Sequence, residues 1–197
     1  PAGEHETEMR ALALGSGFRS DFPPGVMQEA ASLETNGKQL LADGAKMDHR
    51  RDFRTIPTFT IDPYDAKDFD DALSVQTLPN GNTEVGIHIA DVSYFVRPGS
   101  AIDAEARNRT TSVYMVDRTI PMLPEVLSTN LCSLNPNEDR LAVSAVFELD
   151  ANAGIVSKWF GETVIYSDKR FTYENAQEVL DSGEGEMSKE LLTLKAL

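Results

Sequence analysis

The sequence predicts an α+β domain, a mostly antiparallel sheet with flanking helices. Three observations carry that reading. Runs rich in β-branched and aromatic residues recur at 56–62, 72–78, 84–92, 141–149 and 155–167. Two pairs of these runs are joined by turn signals, Asn80-Gly81 and Asp150 to Gly154, which fold a strand back on its predecessor. Helix signals gather at the two ends and in the middle of the chain, between those runs.

Residues 1–48 read as a helical linker arm packed on the body. Glu4 to Leu14 is acidic and helix-prone, and Gly15-Ser16-Gly17 breaks it. Asp21-Phe22-Pro23-Pro24 starts a second helix through about Ser32, with Asp as cap and proline in the first turn. Glu34 to Lys46 is polar, with two glycines and little periodicity.

The body spans 49–197. Strands 56–62 and 72–78 bracket an acidic run that Pro63 keeps out of the ladder. The return strand 84–92 sets Val85, Ile87 and Ile89 on one face and Gly86, His88 and Ala90 on the other. The small residues of that second face leave room for an approaching group. His88 therefore has two readings, facing a site or packed and hydrogen-bonded, and the second is commoner for a lone strand histidine.

Pro98-Gly99 turns the chain, and Ser100-x-x-Asp103 caps a helix to about Arg109. Thr110 to Val116 is β-branched enough for a strand, and Pro124 to Leu127 fits the first turn of a helix ending near Leu131. Leu141 to Leu149 is almost continuously apolar, hence a buried strand, with Ile155 to Ser167 as its long partner. Thr172-x-x-Asn175 opens a helix to Leu180, and Met187 begins a last one.

With 32 acidic against 18 basic residues the formal charge is −14, which argues against non-specific nucleic-acid binding by the chain as a whole. Basic residues do gather locally, as His49-Arg50-Arg51-Asp52-Phe53-Arg54 and Arg107-Asn108-Arg109. The single cysteine, Cys132, excludes an internal disulfide and a cysteine-based zinc site, and reads as a small buried apolar group. No apolar run is long enough to span a bilayer and no signal-peptide core is present, so no membrane partner is expected. The start at Pro1 suggests a fragment or processed chain, and the cytoplasm is the default location.

The most informative stretch is Asp62-Pro63-Tyr64-Asp65-Ala66-Lys67-Asp68-Phe69-Asp70-Asp71. Five carboxylates this close repel one another, a cost that a multivalent cation among them would offset. Short, all-oxygen ligands suit a hard ion such as magnesium. An EF-hand calcium loop fails, because the positions that should be acidic or glycine hold Tyr64, Lys67, Ala72 or Leu73. A two-metal phosphodiesterase needs several converging oxygens, and a solvated acidic loop is the alternative that the residues alone leave open.

Thr60-Ile61-Asp62-Pro63 followed by Asp65 to Ala72 resembles the signature of the ribonuclease II superfamily, bacterial ribonuclease R in particular. Ile89 to Val96, Arg107 to Tyr114, Ile120 to Ser128 and Leu131 to Pro136 agree in order, over about residues 50 to 182. The resemblance implies the N-terminal part of an RNB-type catalytic domain from a magnesium-dependent, processive 3′-to-5′ exoribonuclease, with manganese as a substitute ion. Its substrate would be the 3′ end of single-stranded RNA, and its products nucleoside 5′-monophosphates. Asp62, Asp68 and Asp71 map onto metal-holding aspartates, and Asp70, counted with them as a metal ligand, onto the one required for cleavage but not for RNA binding. Tyr114 maps onto a tyrosine that contacts the RNA 3′ end, and Asp65 onto no role beyond an outer charge or a bridge to Lys67. Asp91 and Arg109 fall in matching blocks, but turn hydrogen bonding and salt bridging are preferred for them.

The resemblance also implies flanking oligonucleotide-binding barrels, together with an arginine and a glutamate, outside this sequence. The chain alone is then expected to bind metal weakly and to degrade RNA poorly or not at all. A non-catalytic RNA- or protein-binding module keeping the fold is the alternative, although such forms should have lost aspartates that are all present here.

Overall fold

The computed structural model describes residues 2–116 and 118–197. Helices α1 (Ala2–Gly15) and α2 (Pro24–Gly44) precede strands β1 (Arg51–Asp52), β2 (Thr58–Asp62), β3 (Asp71–Thr77) and β4 (Thr83–Ala90). Then come α3 (Val92–Phe95), α4 (Ala101–Arg109), β5 (Val113–Tyr114), β6 (Thr119–Ile120) and a π-helical turn over Val126–Leu131. Strands β7 (Asp139–Leu149), β8 (Ile155–Tyr166) and β9 (Lys169–Thr172) lead into α5 (Tyr173–Ser182) and α6 (Ser188–Ala196).

Local chemistry accounts for much of this. At Asn80-Gly81 the glycine takes φ +87°, the Asn80 side chain accepts from Asn82 N at 3.0 Å, and β3 and β4 zip from Thr77↔Thr83 to Asp71↔Ile89. Ser100 accepts from Asp103 N to start α4, and Thr172 accepts from Asn175 N to start α5. The seven-stranded sheet has the order β1-β8-β7-β4-β3-β2-β9. It is antiparallel except where β1 joins β8 and β2 joins β9 in parallel.

One face carries the main core, where Val26 and Ala30 of α2, Ile102 of α4 and Leu127 and Leu131 of the π-turn meet Phe53, Ala142 and Val146. The opposite face at the β2–β9 end carries a second core, Phe59, Phe171, Ala176 and Leu191, roofed by α5 and α6. Cys132 is buried and free. Among the described residues no helix is long and apolar enough to cross a membrane.

Three elements depart from expectation. Helix α2 does not stop near Ser32 but runs to Gly44. Its glycines are contact points rather than breakers: a Cβ on Gly37 would stand 2.4 Å from a Leu131 methyl, and Gly44 lies against Leu141 and Tyr94. The strand expected over 110–116 shrinks to β5, because Thr110 caps α4 in the left-handed region at φ 65° and β5 pairs only with β6. The helix expected to end near Leu131 is π-helical at Cys132, whose N–H reaches Leu127 O five residues back at 2.9 Å.

Candidate metal centre

The acidic run is a loop from the end of β2 to the start of β3, held from two sides. On one side Phe69 N donates to Ser133 Oγ at 3.0 Å, Ser133 Oγ donates to Lys67 O at 3.1 Å, and Leu134 N donates to Phe69 O at 2.8 Å. Phe69 itself is buried in the main core. On the other side Arg170 of β9 donates to Pro63 O and, at 2.9 Å, to Tyr64 O. Its guanidinium lies over the Phe69 ring, 5.6 Å from the centroid.

Asp62 ends β2, buried, with Oδ2 enclosed and without a hydrogen-bond partner. Burial first, then the charges of Asp71 and Asp68, push its carboxyl above the usual range; Thr60 and Arg170 pull the other way. The Thr60 pull is weak by geometry, since Thr60 Oγ1 is also buried without a partner. Asp70 is surface-accessible yet crowded by protein on its other sides, and its carboxyl is raised by that partial desolvation and by Asp68, Asp71 and Asp62. Asp71 opens β3 opposite Ile89, with its side chain exposed. Among the described residues no ion pair is made by Asp62, Asp68, Asp70 or Asp71, and none joins Asp65 to Lys67.

Asp68 is engaged by Tyr114, whose hydroxyl donates to Oδ2 at 2.5 Å. That bond, then burial and the Asp68 and Asp70 charges, push the phenol up to about 12. The Tyr114 ring is otherwise exposed. Sequence reasoning placed Asp68 and Tyr114 in one site but did not foresee this direct contact, which joins positions 46 apart in the chain.

The convergence of oxygens that a two-metal phosphodiesterase needs is only partly realised. The carboxylates feel one another's charge, yet among the described residues no three acidic or histidine side chains are gathered as a ready-made metal chelate. Alternation at the start of β3 explains part of this: Asp71 shares the face of Leu73 and Phe59, and Asp62 shares that of Thr60 and Thr58. In donor type and charge the set still fits a hard cation, and the orphaned Asp62 Oδ2 is an oxygen that the protein itself does not use. A cleft of about 1060 Å³ lies elsewhere, between Gly17–Pro24 and Glu105–Thr111, and reaches the site only through Val113, next to Tyr114.

His88 takes the packed reading. Its ring bridges Ser74 Oγ at 2.9 Å and Ser144 Oγ at 2.7 Å, and Ser144 continues to Thr163 Oγ1 at 2.6 Å. Burial pushes the imidazole down to about 4, with Arg51 adding to it. The Gly86–His88–Ala90 face leaves no room for a ligand, because Phe53 and Arg50 fill it, and Ile87 and Ile89 of the other face are exposed instead.

Asp91 and Arg109 are structural. Asp91 caps α3 and takes a 2.6 Å bond from buried Arg50. Arg109 pairs with Glu105 and lies over Phe22 at 3.8 Å. The basic cluster at 49–54 is largely spent inside the fold, Arg50 on Asp91 and Glu162, Arg51 on Glu84, Arg54 on Asp52 and Asp139. Those side chains are not the free phosphate contacts that their clustering suggested.

Residues 50–197 match the RNB domain family. The chain belongs to that family. The RNB chain is 45% identical over 181 residues to DIS3-like exonuclease 2 of Xenopus tropicalis, covering 91% of itself and 21% of that relative. Among solved structures it superposes on Mycoplasma genitalium RNase R in complex with ribose-methylated single-stranded RNA with a TM-score of 0.81 at 31% identity, covering 96% of itself and 29% of RNase R. It also superposes on yeast Ssd1, described as a pseudonuclease, with a TM-score of 0.67 at 29% identity over 77% of itself and 18% of Ssd1. The RNB chain thus spans about a fifth of the length of the curated relative.

Proposed function

We propose that the Asp62–Asp71 loop is the metal-holding part of a 3′-to-5′ exoribonuclease site acting on single-stranded RNA. The observation that carries this reading is a set of four aspartates that, among the described residues, form no ion pair, one of them with a buried, unsatisfied oxygen. Asp62, Asp68 and Asp71 would hold magnesium, or manganese in its place. Bound there, the ion would relieve charge on the scissile phosphate and acidify water. Asp70, accessible and with its proton affinity raised by partial desolvation and then by three neighbouring carboxylates, is suited to orient the attacking water and take its proton. Tyr114 steadies Asp68 through its hydroxyl and offers an exposed ring on which a terminal base can stack whatever its identity.

With the 49–54 arginines committed internally, phosphate contacts along the RNA would come from outside this chain, in keeping with the expected flanking barrels. Because the resemblance places an arginine and a glutamate of the site outside this sequence, the chain alone is expected to bind metal weakly and to release nucleoside 5′-monophosphates slowly or not at all. A reducing cytoplasm suits the single buried thiol.

The test is Asp70→Asn in the full-length protein, on end-labelled single-stranded RNA with magnesium. Turnover should fall by at least about 100-fold while RNA affinity is retained. Unchanged turnover would remove the catalytic reading and favour a non-catalytic RNA-binding role, for which the likeness to a pseudonuclease speaks.

A further inference from the structure

Arg170 differs from the other arginines around the sheet. Arg50, Arg51, Arg54, Arg109 and Arg140 each pair with a carboxylate. Arg170 stands beside the densest group of aspartates in the chain and, among the described residues, pairs with none of them. One of its terminal nitrogens is instead spent on two successive carbonyls, Pro63 O and Tyr64 O, where the acidic loop leaves β2. Its guanidinium carbon lies over the Phe69 ring, near the point where the loop enters β3, and its Nε is buried without a partner. Parallel pairing explains the reach: Thr60 is matched with Arg170 and Asp62 with Thr172, so Arg170 projects on the face that carries Asp62.

We propose that Arg170 is the positioning residue of the acidic loop, clamping its first turn against its last and so setting the separation of Asp62 from Asp68. This rests on reading those aspartates as a metal site. Binding backbone rather than carboxylate lets one cation order the loop without consuming the oxygens that an ion would need. A lysine has no guanidinium to lay over Phe69, so charge alone does not replace it.

The test compares the chain with Arg170→Lys and Arg170→Gln. Amide hydrogen exchange over residues 62–71 without metal should quicken in both by about 10-fold while β7 and β8 keep their rates. The Kd for Mn2+, read by electron paramagnetic resonance, should weaken by about 10-fold with Tm unchanged. Loop exchange equal to wild type in both variants overturns the proposal. So does a looser loop with undiminished Mn2+ affinity, which would leave Arg170 a purely structural clasp. If the unsubstituted chain binds no Mn2+ yet the variants loosen the loop, Arg170 holds the loop and the metal reading is what fails. Should Arg170→Gln not fold, Arg170→Lys carries the comparison.

Discussion

Acidification should destabilise this protein through one buried imidazole, and the structure sets the size of the effect. His88 is fully enclosed between Ser74 and Ser144, and its folded value of about 4 lies below the ordinary 6.5. Above 6.5 both folded and unfolded chains hold it neutral. Between 6.5 and about 4 only the unfolded chain takes up the proton, so stability falls as pH falls. Linkage puts the loss at about 2.5 kcal/mol by about pH 4.5.

Raised carboxyls at Asp62 and Asp70 act in the opposite direction, because the folded state protonates them first. Lowered ones at Asp52, Asp103 and Glu148 withdraw stability only as pH falls below their unfolded values and through their lowered folded ones. Both contributions cancel when wild type is compared with His88→Gln. Urea unfolding followed by the single tryptophan, Trp159, supplies the measurement. Wild type should lead the variant at neutral pH, and that lead should shrink by about 2.5 kcal/mol at about pH 4.5. An equal lead at both pH values would refute the assignment of His88 as a buried neutral bridge.

Two further outcomes follow from packing. Phe59→Ala should cost about 3–5 kcal/mol in urea unfolding, because Phe59 is fully buried in the small second core, edge-on to Phe171 at 5.7 Å. Gly86→Ala should cost about 1–3 kcal/mol and flatten the His88 pH dependence, since the added Cβ would lie 2.4 Å from Ser74 Oγ and 2.6 Å from His88 Nε2. A neutral effect in either case would mean that the neighbouring side chains yield more readily than their burial implies.

The fold's local grammar was legible in the residues. Asn80-Gly81, Ser100-x-x-Asp103 and Thr172-x-x-Asn175 each fix backbone geometry within a few positions, and each is found doing so. The Asp62–Asp71 stretch was legible for a similar reason, since charge density and Pro63 are properties of neighbours in sequence. What the sequence could not state was which groups from distant segments meet. Period-two alternation names two faces of β4 but not the inward one; Phe53 and Arg50, on either side of β1, decided that His88 is enclosed and Ile89 exposed. The polar, glycine-bearing end of α2 lacks periodicity because its glycines are chosen for close approach to Leu131 and Leu141 rather than for helix propensity.

The same limit separates the two halves of the candidate site. Sequence alone assembled the aspartates, because they lie within one loop. Only the tertiary structure supplied Tyr114 against Asp68, Ser133 under Phe69, and Arg170 across from Pro63 through the parallel β2–β9 pairing. Contacts that span 46 to 107 positions leave no periodic trace in the chain, since they depend on where whole strands are laid and not on what stands beside each residue.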